Sequence, residues 1–420
     1  MSDVRRAASL ALVAGLVVLS RRPALAFSVL AHQAVVDAAW TSSIVPDLRR
    51  RFPGATADDL DRARAFAYGG AHVADLGYFP FGSRLFTDLV HYVRTGDFVA
   101  SLLRQAGTID ERAFALGALS HWVTDDVGHP QATNRVVPML YPKLRARYGD
   151  VITYADDHRS HAETEFRFDV LQLSRSKQSP DLFRHAIEFQ VATPLLDRAF
   201  RETYGLGLDD VFASTDVAIT TYRWAFREVI QEATGIAWQL YRADATRVDP
   251  TATAETFVGR LSRADFEHEF GDAYRQAGYF ARFAAWVVKL VPKVGPLKGL
   301  PYQPLPPAAR ERFTTTFDRA VVRFRDAVAA ASRGAEAPPD ENLDTGRPSR
   351  GGDYPPADTA YTELVEKLAA HDDAATPAAL RVDLDRHYAA AWAARRDPSD
   401  EAWWRADRAL ARIRSAPRID

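Results

Sequence analysis

The 420-residue sequence predicts an all-α protein, a multi-helix bundle with extra helices at its C-terminal end. Two observations lead to this fold class. Apolar residues recur at the i, i+3, i+4 spacing of amphipathic helices in nearly every segment after residue 26. Between residues 27 and 330, no Asn-Gly or Asp-Gly turn joins two alternating apolar and polar runs, so no β-hairpin is predicted there.

The helices follow in chain order from this periodicity and from start and stop signals. Thr95, Thr108 and Thr215 are predicted N-caps, because each is followed within two residues by an aspartate that favours the first helical turn. Two stretches rich in Pro and Gly, 292–307 and 334–357, are predicted loops. Two further helices are expected near the C-terminus, after predicted helices at 29–40, 58–68, 85–93, 97–105, 110–127, 155–173, 182–204, 215–241, 263–291, 307–331 and 359–371.

The first 26 residues have the pattern of an export signal. A basic pair at 5–6 precedes an apolar run over 7–19, and the small-residue pattern Ala-Leu-Ala follows at 24–26. The run is too short for a comfortable membrane span, although the arginines at 21–22 leave an uncleaved anchor as an alternative. We therefore expect a protein that is secreted or periplasmic after signal-peptide cleavage.

Composition divides the rest of the chain into three parts. Residues 27–333 form the predicted helical domain, and its candidate ligands lie within 27–170. Residues 334–357 form the second Pro/Gly-rich loop. Residues 358–420 are helical, rich in Ala, Arg and Trp, and a candidate appended lobe.

The charge and the cysteine content limit the kinds of site. A formal net charge of -2 gives no bulk electrostatic reason to expect a nucleic-acid partner. The absence of cysteine excludes disulfides and thiolate zinc sites, so any metal must be held by nitrogen and oxygen ligands. Most of the 11 histidines lie before residue 165, which is typical of a histidine-built site: His32, His72, His91, His121, His129, His158 and His161.

The stretch "GALSHWVTDDVGHP" at 117–130 carries the strongest chemical pattern. His121, Asp125 and His129 recur at steps of four, which places them within an arc of about 80° on one helix. A bound cation would offset the cost of burying these groups, because their lone pairs would serve as ligands. The alternative is an ordinary solvated face of an amphipathic helix. The opposite face is apolar, with Leu116, Leu119, Val123 and Val127.

Other candidate ligands lie on both sides of this stretch. His161 and Glu165 have the i, i+4 spacing that lets one helix present an imidazole and a carboxylate to the same ion, and His158 ranks second to His161. Upstream, Asp75 lies in a Gly-rich stretch and His91 in an apolar helix. Taken alone, these two fit a loop cap and a core histidine.

The mature N-terminus supplies a further candidate. Cleavage after Ala26 would leave Phe27 as the first residue, with His32 five positions later. A free α-amino group and its own carbonyl oxygen can form a five-membered chelate on a metal. This ligand exists only if the signal is removed.

Together these residues resemble the zinc-dependent phospholipase C superfamily, which also contains the single-strand-specific nucleases of fungi and plants and the N-terminal domain of GPI-specific phospholipase D. The resemblance spans about residues 27–170. The later stretches "LVPKVGPLKGLPY" and "NLDTGRPSRGGDYPPAD" also look like segments of bacterial members. The family's ligand positions are filled in order by Phe27, His32, Asp75, His91, His121, Asp125, His129, His161 and Glu165.

The resemblance implies about three Zn²⁺ ions. It assigns Asp75, His91, His121 and Asp125 to the first ion, and Asp125 also to a second ion with Phe27 and His32. It assigns His129, His161 and Glu165 to the third. Asp75 is also a candidate general base.

Two departures from the family pattern affect what can be inferred. Phe27 replaces the family's tryptophan, which keeps the backbone chelate and removes the indole packing. Three residues separate Asp125 from His129, whereas the nucleases and the best-known secreted phospholipases C have five. The shorter gap looks like the phospholipase D-type branch and its bacterial relatives.

The function implied is an exported zinc-dependent phosphodiester hydrolase, with a phospholipid or a membrane surface as its substrate. An apolar and basic segment around 278–302 favours a lipid, although a buried helix followed by a loop explains it better. A single-strand-specific nuclease or 3'-nucleotidase is the alternative, since Tyr78, Phe79 and Phe81 could stack bases. A metal-binding protein without turnover is a third possibility. No protein partner is inferable.

Overall fold

The computed structural model describes residues 29–175, 187–248, 250–251, 253, 304–334, 338–371, 376–394 and 401–415. These residues are helical or lie in turns and connections, and an isolated bridge joins Asn342 and Arg347. The all-α fold class is therefore confirmed. Among the described helices, none is long and apolar enough to cross a membrane.

The predicted helices that fall on described residues follow one another in the predicted order, and four short helices that were not predicted lie between them. A 3-10 turn, Ala74–Tyr78, follows the third helix, and five-residue π-helical turns, Trp40–Ile44 and His129–Thr133, follow the first and the sixth. The helices are α1 Val29–Ala39, α2 Val45–Arg51, α3 Ala57–Val73, α4 Arg84–Tyr92, α5 Thr95–Gln105, α6 Ile109–Gly128, α7 Asn134–Leu140, α8 Pro142–Tyr148, α9 His158–Arg175, α10 Thr193–Tyr204, α11 Leu208–Val211, α12 Thr215–Val248, α13 Pro307–Ser332, α14 Pro355–Ala370, α15 Ala378–Ala394 and α16 Glu401–Ser415.

Two of the three predicted N-caps and the extent of one predicted helix differ from the sequence prediction. Of the predicted N-caps, Thr108 is confirmed, since its side chain accepts the N–H of Glu111. The other two are wrong: Thr95 is the first residue inside α5, and Ser214 rather than Thr215 accepts an N–H at the start of α12. The helix predicted over 182–204 is interrupted within the described residues: Ile187 is helical, residues 188–192 are not, and α10 begins at Thr193. In the interruption, the Gln190 N–H donates to the Ala65 carbonyl of α3. The helix predicted over 263–291 lies outside the described residues.

Helices α3 and α6 form the centre of the bundle and cross backbone against backbone. A Cβ on Gly70 would lie 1.9 Å from the carbonyl oxygen of Phe114, and a Cβ on Gly117 would lie 1.9 Å from that of Ala67. Only glycine fits at such a crossing without moving the backbone. The crossing brings the His121 side chain on α6 within reach of α3, where Nδ1 lies 2.9 Å from the Ala71 carbonyl oxygen.

The C-terminal helices share the core of the rest of the protein. Leu364 on α14, Leu380 on α15 and Ile413 on α16 are buried in the same apolar cluster as the central helices. Helix α14 packs on α4, and α13 packs on α6. Of the predicted loop at 334–357, the described part runs from residue 338 across the end of α4 to the start of α14.

Candidate metal centre

Helix α6 presents its three chemical residues as the spacing predicts. His121, Asp125 and His129 are 2%, 0% and 7% exposed, so they are not a solvated helix face. The opposite face packs into the apolar core, where Leu116, Leu119, Val123 and Val127 are all buried. The π-helical turn begins at His129, and a turn of this kind inside an α-helix is frequently found at functional sites.

The Asp125 carboxylate lies at the middle of the cluster. Its Oδ2 is 3.0 Å from His121 Nε2 and 3.4 Å from His91 Nε2. Its Oδ1 is 3.2 Å from His32 Nε2 and 3.6 Å from His129 Nε2. One carboxylate therefore faces four imidazoles that come from three different helices.

Asp75 and His91 approach Asp125 from the 3-10 turn and from α4. Asp75 Oδ1 lies 3.6 Å from His91 Nε2, which in turn lies 3.1 Å from His121 Nε2. The other nitrogen of His91 lies 2.8 Å from the Thr87 carbonyl oxygen, so Nε2 is directed at the cluster. Taken alone, the two residues were expected to be a loop cap and a core histidine, but the structure brings them together with α6.

The third part of the cluster lies at the end of α6. Glu165 Oε1 is 2.6 Å from His161 Nε2 and 3.4 Å from His129 Nε2. His158 is exposed and does not belong to this group. Its ring packs edge-on against that of Tyr154, with the ring centroids 4.3 Å apart. The geometry thus favours His161 over His158. Phe27 lies outside the described residues.

Three groups of side chains have ligand atoms within 4.8 Å of one another, which is the separation that a shared ion requires. His121 belongs to two of them, and Asp125 contacts a histidine of every group. Asp75, His91, His129, His161 and Glu165 help to line a cavity at the cluster, the central cavity, and no Lys or Arg is among its described lining residues. Asp75 Oδ2 is buried with no hydrogen-bond partner in the described part of the chain. The groups are His32, His121 and Asp125; Asp75, His91 and His121; and His129, His161 and Glu165.

Burial and charged neighbours shift the pKa values of several side chains in the cluster. Burial raises the pKa of Asp75 to about 6 and that of Glu165 to about 8. Burial and then the neighbouring His121 lower the pKa of His32 to about 4. Burial alone would lower the pKa of His121, but Asp125 and Asp75 outweigh it and raise the value to about 9. Buried carboxylates and imidazoles at contact distance are a suitable donor set for divalent cations, which would replace the shared protons.

Several residues that support this cluster were not predicted from the sequence. Asp169 on α9 accepts the N–H groups of Leu30 and Ala31 at 3.0 and 3.1 Å, and so holds the first turn of the helix that carries His32. Asp344 lines the central cavity with Tyr154. Asp169 continues the steps of four from His161 and Glu165 along α9, but this period does not connect it with Leu30 and Ala31. For Asp344, the only signal was the resemblance of the stretch around 342–358 to segments of bacterial relatives.

The fold and the buried cluster together define an all-α, metal-binding protein. Residues 31–213 match the family described as zinc dependent phospholipase C. All the described candidate ligands fall within this segment, and the match supports the zinc-dependent phospholipase C superfamily that the sequence resemblance predicted. The comparisons with curated proteins and with solved structures found no match.

Proposed function

We propose that this protein is an exported phosphodiesterase of the phospholipase C type with a centre of about three Zn²⁺ ions. The observation that supports it best is the Asp125 carboxylate, which faces imidazoles from every candidate group. Neighbouring divalent cations supply Lewis acidity, which acidifies a water near neutral pH and neutralises charge on phosphodiester oxygens.

The chain's own residues would hold the ions and move one proton. Asp75, His91, His121 and Asp125 would bind one ion. Asp125 would also bind a second ion, together with His32 and the Phe27 amino group. His129, His161 and Glu165 would bind the third. Asp75 lines the cavity and its Oδ2 has no hydrogen-bond partner among the described residues, which supports Asp75 as the general base that would accept a proton from the attacking water.

The surroundings of the cavity favour a lipid phosphodiester over a nucleic acid. Tyr78 lines the cavity, but Phe79 packs edge-on against Tyr222 at 4.2 Å in the core and is not available to stack a base. The near-neutral charge balance offers no bulk attraction to a polyanion. The apolar and basic segment at 278–302, which the sequence connects with a lipid surface, lies outside the described residues.

A side-by-side assay tests the proposed substrate class. The purified mature protein with zinc would be incubated with mixed phosphatidylcholine and phosphatidylethanolamine vesicles and, separately, with denatured DNA. We expect release of diacylglycerol and phosphorylated head group, or of phosphatidic acid if the other phosphate bond is cleaved. Rapid digestion of DNA to 5'-nucleotides with no lipid product would replace the proposal with the nuclease.

A further inference from the structure

A short segment outside the family-matching region contacts the metal centre. Residues 342–347 form a tight turn, in which Asn342 N–H donates to the Arg347 carbonyl at 2.8 Å and Gly346 N–H donates to the Asn342 carbonyl at 2.8 Å. Gly346 has φ +62°, and a Cβ there would lie 2.9 Å from Cγ of Pro130, the residue after His129. We call residues 342–347 the support turn.

The support turn contacts the cluster through its backbone. Leu343 N–H donates to the carbonyl of His91 at 2.9 Å, and the Leu343 carbonyl lies 3.1 Å from His129 Nδ1. When Nδ1 of a histidine donates to a carbonyl, its Nε2 keeps the lone pair that binds a metal. One residue therefore fixes the backbone of one candidate ligand and the ring of another, and the two ligands belong to different groups.

The support turn also contacts the surroundings of His161, through the side chain of Asp344. Its Oδ2 accepts the N–H of Tyr154 at 3.0 Å, and the Tyr154 ring meets the His161 ring edge-on at 5.5 Å. The Tyr354 hydroxyl donates to the same oxygen at 2.6 Å, so the carboxylate has one orientation. Its Oδ1 is buried at the cavity with no hydrogen-bond partner in the described residues, 3.8 Å from His129 Nδ1.

We propose that the support turn, with Asp344 at its centre, is a positioning element of the metal centre, and that residues 31–213 alone do not complete this centre. The inference rests on the proposed function, since it assumes that the cluster binds zinc. The turn orients His129 directly, His161 through Tyr154, and the end of α4 at His91. The carboxylate of Asp344 also favours a cation at the third group, His129, His161 and Glu165. Because it is buried, solvent ions screen its charge little.

The experiment measures metal binding in the full mature chain. Asp344→Ala removes both oxygens, and Asp344→Asn keeps the shape while removing the charge. Asp340→Asn is the matched control, because Asp340 lies on the same segment but accepts the N–H of Asp97 on α5 and contacts no candidate ligand. Zinc retention against increasing chelator and the visible absorption of the Co²⁺-substituted protein are recorded for each variant. Near-UV circular dichroism of the metal-loaded forms checks the fold.

We expect Asp344→Ala to lower the affinity for at least one ion by about 10- to 100-fold and to change the Co²⁺ spectrum, as loss of an outer-sphere partner does elsewhere. Asp344→Asn should fall between Asp344→Ala and the wild type, and Asp340→Asn should match the wild type. Wild-type affinity and an unchanged Co²⁺ spectrum in both folded Asp344 variants would refute the inference and leave the proposed function standing. A wild-type protein that binds no zinc would instead refute the proposed centre.

Discussion

Asp125→Asn is the most informative single change at the metal centre. The substitution keeps the volume of a fully buried side chain and removes one negative charge and one ligand oxygen. The two oxygens of Asp125 face different partners, Oδ2 towards His91 and His121 and Oδ1 towards His32 and His129. An amide presents one oxygen only, so it cannot serve two ions at once.

The size of the effect follows from the charge that is lost. A unit charge and a divalent cation about 4 Å apart, at an effective dielectric constant of about 20, interact by about 8 kcal/mol. Much of this is offset, because in the metal-free state Asp125 also stabilises a proton on His121, whose pKa is about 9. We therefore expect a loss of about 10³-fold or more in affinity for the two ions next to Asp125.

The assay is the zinc content per protein after dialysis against a weak chelator, together with phosphodiesterase activity. Asp125→Asn should keep only the ion of the His129 group and should lose nearly all activity. Asp126→Asn is the matched control, because this neighbouring carboxylate forms an ion pair with Arg323 on α13 instead of facing the cluster. Full activity with unchanged zinc content in Asp125→Asn would refute the reasoning.

Three further predictions follow from other contacts. Mass spectrometry of exported material should give Phe27 as the first residue. A form that keeps the preceding residues should lose one zinc. If the active form begins at another residue, the Phe27 amino group is not a ligand. Asp169→Ala should lower the free energy of unfolding by about 1 to 2 kcal/mol and weaken the binding of the ion held by His32, because two N–H groups of α1 lose their acceptor. Asp169→Asn keeps an acceptor oxygen, so its free energy of unfolding should fall less. Burial, only partly offset by Arg223, raises the pKa of Glu188 to about 7 from its usual 4.5, so this carboxyl costs stability as pH rises from about 4.5 to 7. Glu188→Gln should therefore gain stability over the wild type across that interval, by up to about 3 kcal/mol at pH 8 in chemical denaturation, and a difference independent of pH would contradict the assigned cause.

The helical part of the fold and the candidate ligands on α6 and α9 could be predicted because both depend on local spacing, whereas His32, Asp75 and His91 were predicted from the family resemblance. Steps of four along one helix place His121, Asp125 and His129 together whatever the rest of the chain does. The pairing of His161 with Glu165 follows in the same way.

Contacts between distant elements could not be predicted by this reasoning. Asp344 on the support turn and Asp169 on α9 each bond to an element distant in sequence, and no sequence period connects them with the residues that they support. The cap prediction at Thr95 failed for a related reason. The Thr95 hydroxyl donates to the carbonyl of Glu341 and accepts the indole N–H of Trp122, so a tertiary contact decides its role.

The three residues of α6 also determine how the centre would come apart. Each step of four residues advances about 6 Å along the helix axis, so covalent geometry and helical hydrogen bonds set the distances between these residues. Heating or mutation elsewhere cannot stretch this spacing while the helix persists. The candidate ligands that face α6 from other helices lie on α1, α4 and α9. Each of these three helices can move away from α6 while the other two stay in place. Metal loss is therefore expected to be stepwise, one ion for each departing helix, with α6 as the part of the centre that keeps its shape to the end.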